Sequence, residues 1–406
     1  MNKKHGLSLM IISLFMIATL IPLGLSQADP HPSVTQIDRL STILWRDNAS
    51  INSIAVGDFD NSHPGSELVC GGESGRVTMV KGRGNNWTAT TLMETAGVVQ
   101  FLDVGDIDPN HPGNEVVVAT LDDHLPLAGD SPDPPEYWGI RILEGYGNEW
   151  TSTLVYKTEN PYGKIWGMRV GDFNTSNPGE EIIACWEFWM DIANVYVYSY
   201  NGDTWTDTLI YSGNMVIMDA DVGNCNASHP GDEIIMLDED GDYIQLIQND
   251  TIWEPTLIWE APEDYAGREV EIGDVDRYHP GDEVVIRTRF VPGILLLEEQ
   301  NSLWTSRWLL NSSILFTDMT ISDSNRFHPG KEIAVVSDRN VTLIWGEGPQ
   351  WYHRLLWRDT LPLNCVAGGD FDSSITGEEL AVSGESRNIS RIIRLFPAFV
   401  TVIDTV

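Results

Sequence analysis

Positive charge is scarce in this chain: 24 lysines and arginines stand against 60 aspartates and glutamates, for a formal net charge of −36 over 406 residues. So acidic a surface repels phosphate backbones and anionic headgroups, which argues against nucleic-acid or peripheral membrane partners. It favours solubility and attracts cations. Cysteine is scarce too, and Cys70, Cys185, Cys225 and Cys365 form no Cys-X-X-Cys or other metal-ligand spacing, so no zinc site is expected. Catalytic signatures are missing: there is no Gly-X-Ser-X-Gly elbow, no phosphate loop and no His-Glu-X-X-His. Long apolar runs are confined to Leu7–Leu25, behind Lys3-Lys4 and before Ser26-Gln27-Ala28. Residues 1–26 therefore read as a secretory signal, or as an N-terminal anchor if uncleaved, followed by a linker over 27–37. The expected location is secreted or on the extracytoplasmic cell surface, with membrane contact only through an uncleaved N-terminal segment. Eight Asn-X-Ser/Thr sequons, from Asn48 to Asn388, suit an exported glycoprotein.

What is present is a repeated loop. Gly57-Asp58-Phe59-Asp60-Asn61-Ser62-His63-Pro64-Gly65-Ser66-Glu67 returns as Gly105-Asp106-Ile107-Asp108-Pro109-Asn110-His111-Pro112-Gly113-Asn114-Glu115. Further copies start at Asp172, Asn224, Asp274, Asp323 and Asp370, giving spacings of 48, 66, 52, 50, 49 and 47 residues. A period of about 50 residues marks a repeat architecture in which no unit buries a core alone. Each unit carries an apolar stretch before the loop and a β-branched run after it, such as Glu115-Val116-Val117-Val118. A third strand, a Gly/Asn turn ending in Trp (Trp87, Trp150, Trp205) and a fourth alternating strand follow. Four strands per unit predict an all-β, seven-bladed β-propeller of antiparallel strands over residues 38–406. Leu40–Asp47 matches the fourth strand His353–Asp359, so the N-terminal strand is expected to complete the last blade and remove an open edge. Closed in this way, the ring is expected to be a monomer.

The loop resembles the calcium loops of FG-GAP/VCBS-type propellers, the repeats also found in integrin α subunits, where Asp-X-Asp/Asn-X-Asp-Gly-X-X-Asp joins the first two strands of each blade. The resemblance spans nearly the whole mature chain. It implies structural Ca²⁺ held by the copies with three carboxylates: Asp58, Asp60 and Glu67; Asp106, Asp108 and Glu115; Asp274, Asp276 and Glu283; Asp370, Asp372 and Glu379. Hard cations want several such oxygens on a tight loop. Yet the loop is one residue longer than the family's, and no copy keeps the central acid. The alternative is an aspartate capping backbone amides while the glutamate pins the hairpin by hydrogen bonds. The recurrent His63, His111, His229, His279 and His328 read better as packing or turn polarity than as ligands, because Asn177 and Ile375 replace them. Adjacent-blade geometry suggests disulfides Cys185–Cys225 and Cys70–Cys365.

Binding is expected on the opposite face, where the long second spacing inserts Asp122-Asp123-His124 through Tyr137-Trp138 and the next blade carries Trp186, Glu187 and Trp189. Aromatics beside carboxylates could stack sugar rings and accept their hydroxyl hydrogens, or receive a cationic peptide. The bland alternative is a proline-stiffened flap over a blade edge. The sequence thus favours a recognition or adhesion module for a glycan or extracellular protein. The other reading is a carbohydrate-active, polysaccharide lyase-like enzyme at the channel mouth, which rests on fold analogy alone.

Overall fold

The computed structural model describes residues 41–122, 137–158, 163–174, 177–188, 192–226, 231–240, 242–249, 252–262, 267–289, 291–300, 303–325, 328, 330–386 and 389–395. The expected signal segment, linker and C-terminal tail lie outside these residues, as do Asp123, His124 and Trp189. All regular structure described is strand, numbered β1 to β28 along the chain.

The first strands of the repeats are β2 Ile51–Gly57, β6 Val98–Gly105, β10 Lys164–Gly171, β14 Ile217–Gly223, β18 Gly267–Gly273, β22 Asp318–Ser322 and β26 Leu363–Gly369. Each pairs antiparallel with the β-branched run after its loop: β3 Glu67–Gly72, β7 Glu115–Asp122, β11 Glu181–Phe188, β15 Glu233–Asp238, β19 Glu283–Thr288, β23 Glu332–Ser337 and β27 Glu379–Ser386. Third strands β4 Arg76–Arg83, β8 Tyr137–Tyr146, β12 Ile192–Tyr200, β16 Tyr243–Asn249, β20 Gly293–Gln300 and β24 Asn340–Glu347 turn back into outer strands β5 Asn86–Glu94, β9 Glu149–Lys157, β13 Trp205–Gly213, β17 Ile252–Trp259, β21 Leu303–Asn311 and β25 Gln350–Arg358. The remaining sheet has the order β1-β28-β27-β26, with β28 Ile389–Leu395 paired to the N-terminal β1 Ser41–Asp47. Each sheet is thus four-stranded and antiparallel, and the first and last described strands pair in one blade. This is a β-propeller.

Second strands are buried on both faces, which is why they read as unbroken β-branched runs. Neighbouring blades pack at their innermost strands through a repeated small-to-large contact. A Cβ on Gly57 would lie 2.4 Å from Val104, one on Gly105 2.3 Å from Val170, one on Gly171 2.4 Å from Val222 and one on Gly369 2.5 Å from Val56. The last of these contacts joins the final blade to the first. The glycine before the loop aspartate is therefore fixed by close approach of the next blade. At the sixth blade Ser322 takes its place, and Gly368 makes the room.

All four cysteines are buried thiols, and neither expected disulfide forms. In the Cys70–Cys365 pairing each sulfur already has a local partner: Cys70 Sγ donates to Thr78 O at 3.4 Å, and Cys365 Sγ lies 3.0 Å from Ser383 Oγ. Cys185 and Cys225 belong to different apolar clusters. The sequence argument failed because burial, as much as oxidation, accounts for cysteine in a core.

Candidate functional site: the loop ring and the central channel

In the repeat loops the three acidic positions have separate duties. The first, Asp58 and its counterparts Asp106, Asp274 and Asp370, is exposed. Its carbonyl serves the neighbouring blade: Asp58 O accepts from Asn114 N, Asp106 O from Glu180 N, and Asp274 O from Lys331 N. The second turns inward. Asp60 accepts from Ser62 N and, across the blade boundary, from Gly147 N at 2.9 Å, and it forms an ion pair with Lys81. Asp372 likewise accepts from Gly84 N and pairs with Arg394. Burial opposes ionisation of Asp60, but Lys81 and the Ser62 and Gly147 donors overcome it and hold the carboxyl at about 2. Asp108 and Asp276 cap the amides of Asn110 and Tyr278.

The closing glutamate is fully buried. Glu67 Oε2 accepts from the amides of Phe59 and Asp60, and Glu115, Glu283 and Glu379 repeat the bond to the second aspartate's amide. The other oxygen meets the recurrent histidine: His63 Nδ1 at 2.9 Å, His111 at 2.8 Å, His279 at 2.9 Å and His328 at 3.1 Å. In the third loop Asn177 donates instead, at 2.9 Å. Where Ile375 stands, Glu379 Oε1 is left without a partner. The histidine is thus a hydrogen-bond partner for a buried acid. Gly65 and its counterparts, with φ between +96° and +112°, bring the chain round to make this possible.

This geometry does not gather a cation's ligands. Of each trio, one carboxylate is exposed and two are spent on backbone amides, and in the first and last loops a lysine or arginine occupies the place of positive charge. Among the described residues no group of three acidic, histidine or cysteine side chains is arranged to hold a metal ion. The implied calcium set, including Asp106, Asp108 and Glu115, is therefore better described as a hydrogen-bonded girdle.

Burial pushes Glu67, Glu283, Glu332 and Glu379 up to about 8, and Glu115 and Glu181 to about 7. Their ordinary value is 4.5. A carboxyl whose value rises on folding binds a proton more tightly in the folded state. Its contribution is therefore full below 4.5 and is lost as pH climbs through about 8. Asp60 has the opposite sign, but its window lies below 3.8. The melting temperature is expected to fall by at least roughly 5 °C between about pH 5 and pH 9. A calorimetric profile that is flat or rising across that range would contradict this account of the girdle.

Inside the ring lies a channel of about 1320 Å³. Period-two alternation on the innermost strands sends every second side chain into it. Two residues before each loop glycine or its Ser322 equivalent stand Ala55, Asp103, Arg169, Asp221, Glu271, Thr320 and Ala367, and four before stand Ser53, Phe101, Gly167, Asp219, Glu269, Asp318 and Cys365. All but Gly167 line the cavity. The innermost strand of each blade is an edge with unpaired amides. Side chains from the preceding blade satisfy them: Asp103 accepts from Val170 N at 2.8 Å, Asp219 from Val270 N at 3.0 Å, Asp221 from Ile272 N at 2.6 Å and Asp318 from Val366 N at 2.7 Å. Arg169 is the hub, reaching Asp221 Oδ1 and Glu271 Oε1, each at 3.2 Å, and Asp219 at 3.9 Å. Arg287 pairs with Glu269 and donates to Phe316 O. Burial raises Asp219 to about 6 and Asp221 to about 7 despite Arg169, and raises Asp103, Glu271 and Asp318 as well.

The ligand residues expected from sequence divide. Trp138 and Trp186 are 4% and 1% exposed and belong to the core. Trp186 donates its indole N–H to Tyr198 Oη at 3.1 Å and stacks on Phe188, so it is no free sugar platform, while Trp138 is part of the channel wall. Asp122 ends β7 opposite Tyr137, whose ring lies under Lys157. Glu187 does face the channel and accepts from Trp166 Nε1 at 2.5 Å. Sequence reasoning missed Trp166, Arg169 and the channel carboxylates. The signal was there: charged residues alternating along strands that are otherwise apolar.

No protein-family model matches the chain, and no curated protein does. Among solved structures the chain is similar to one in the crystal structure of BBS1N in complex with ARL6DN, soaked with lead. The TM-score is 0.56 at 12% identity, covering 89% of this chain and 99% of that one. The likeness shows a shared propeller fold and nothing more.

Proposed function

We propose that this chain is an exported recognition module, a seven-bladed propeller of FG-GAP/VCBS kind, which binds a glycan or extracellular protein at the channel mouth opposite the repeat loops. The carrying observation is the channel itself: one cavity combining Trp166, the guanidinium of Arg169 and acidic residues at Glu187, Asp221 and Glu271. Ligand sites pair an apolar wall with a few convergent polar groups in this way. Such a wall can face a sugar ring, and its carboxylates accept hydroxyl hydrogens. The N-terminal apolar segment and the sequons support an activity outside the cytoplasm.

One observation favours the enzymatic alternative. Asp221, held near neutrality, lies within reach of the guanidinium that also meets Glu271, and carboxyls tuned in this manner serve as general acids or bases. A screen of neutral and acidic polysaccharides and of extracellular proteins, scored for binding and for turnover, tests both readings. Saturable binding without turnover, abolished by Trp166→Ala, is expected. Turnover lost in Asp221→Asn would replace the first reading with the second. A chain that neither binds nor turns over any member would refute both.

The repeat loops, in this reading, work without calcium. EDTA is expected to leave the melting temperature within about 1 °C of the untreated protein. A fall under EDTA that added calcium reverses would restore the ion to the loops.

A further inference from the structure

Positive charge is rare in this chain, yet two arginines line one mouth of the channel and a third lies close by. Arg268 is the second residue of β18, Arg287 lies near the end of β19 beside it in the same sheet, and Arg289 follows β19. Arg287 is committed to Glu269 and to the Phe316 carbonyl. Arg268 is exposed, lines the cavity, and makes no hydrogen bond or ion pair with another described residue. Partial burial, and then the like charges of Arg287 and Arg289, push its guanidinium below the usual arginine range in spite of Glu269. An anion placed there would relieve that repulsion. On another blade lining the same cavity, the Lys164 ammonium sits 3.2 Å from the centroid of the half-buried Trp166 ring. Below this cationic mouth the wall turns acidic, at Asp221 and Glu271.

We propose that the mouth takes an acidic glycan, with a uronate-type carboxylate on Arg268, a sugar ring against Trp166 and hydroxyl hydrogens donated to the carboxylates below. This rests on the recognition reading above and names its ligand class. A guanidinium matches a carboxylate through paired N–H donors, whereas a neutral sugar leaves the arginine cluster uncompensated. An acidic peptide would satisfy Arg268 but bring further carboxylates against Asp221 and Glu271. A sugar brings hydroxyls, which those groups accept. An unpaired guanidinium at the rim, where Arg287 is already held by Glu269, and hydroxyl acceptors within together select the glycan.

Isothermal titration of the full chain with an oligogalacturonate, with its methyl-esterified form and with poly-glutamate decides the matter. The oligogalacturonate is expected to bind, the ester at least tenfold more weakly, and added salt to weaken the first more than the second. Arg268→Ala should lose about tenfold in affinity with an unchanged melting temperature, and Arg268→Lys should recover part of it. Equal affinity for acid and ester, or native affinity in Arg268→Ala, overturns the proposal. Binding of poly-glutamate without the oligogalacturonate overturns it in favour of an acidic protein partner. A neutral glycan or protein whose binding is lost in Trp166→Ala ends this inference and leaves the recognition reading standing. The absence of any binding, here and in the wider screen, ends both.

Discussion

A chain lacking residues 1–47 is expected to lose its cooperative melt and to aggregate. The deleted β1 is the strand paired with β28, in a register running from Ser41 opposite Leu395 to Asp47 opposite Ser390. Leu44 and Trp45 pack against the cluster that includes Ile51, Cys365 and Ile392, so the strand touches the core on both sides of the closure. Asp47, 8% exposed, pairs with Arg76 and accepts from Ser74 Oγ, tying β1 to the first full blade. A few backbone hydrogen bonds at about 1 kcal/mol each, with burial of a leucine and a tryptophan, come to roughly 5–10 kcal/mol. That is comparable to the whole stability of an ordinary domain. Removal also exposes β28 as an edge for pairing with other copies. A permutant that carries Ser41–Asp47 after Leu395, joined by a short turn, should recover the melt, because β1 and β28 are antiparallel neighbours. Calorimetry and size-exclusion chromatography read both variants. An unchanged melting temperature in the truncated chain, or no recovery in the permutant, would overturn the closure argument.

The fold was legible because its signals are local and repeated. The loop glycine needs a positive φ, the preceding glycine faces a neighbour's valine or isoleucine, and the turn tryptophan has a fixed partner in the adjacent blade. Trp87 meets Phe371 edge-on at 6.1 Å, and Trp150 meets Phe59 at 6.0 Å, so two periodic aromatics in the sequence are one inter-blade contact in space. The site was less legible. Paired carboxylates at the right spacing look alike whether they hold an ion or backbone amides. What separates the two is the direction of Glu67 and the presence of Lys81 beside Asp60, and neither can be read from spacing. Trp186 was misread for a related reason. On a second strand buried on both faces, tryptophan is core whichever way it points. The channel was missed because its charges come one per blade, about 50 residues apart, and converge only when the ring closes.

That convergence sets the second large effect. Arg169→Met is expected to cost about 3–5 kcal/mol at neutral pH, the usual consequence of removing one partner from a buried ionic group. Asp219, Asp221 and Glu271 would face one another without a cation, and the bonds of Asp219 and Asp221 to Val270 N and Ile272 N would remain their main compensation. Because burial already raises these carboxyls, loss of Arg169 raises them further, and protonation becomes the cheapest way to remove the repulsion. The sign follows from linkage: a raised folded-state value means stability lost as pH rises, so the deficit of the variant should shrink on going from about pH 8 to pH 5. Arg169→Lys should fall between, since an ammonium keeps the charge but cannot reach Asp221 and Glu271 with one planar fork. A methionine variant that melts with the native protein at pH 8, or whose deficit ignores pH, would show that the channel carboxylates do not depend on this arginine. The same comparison bears on recognition, because an acidic glycan lying across the mouth must coexist with the wall that Arg169 neutralises. If that wall is held as described, Arg169→Met should weaken oligogalacturonate binding at pH 8 more than at pH 5, as the unbalanced carboxylates repel the ligand until they take up protons.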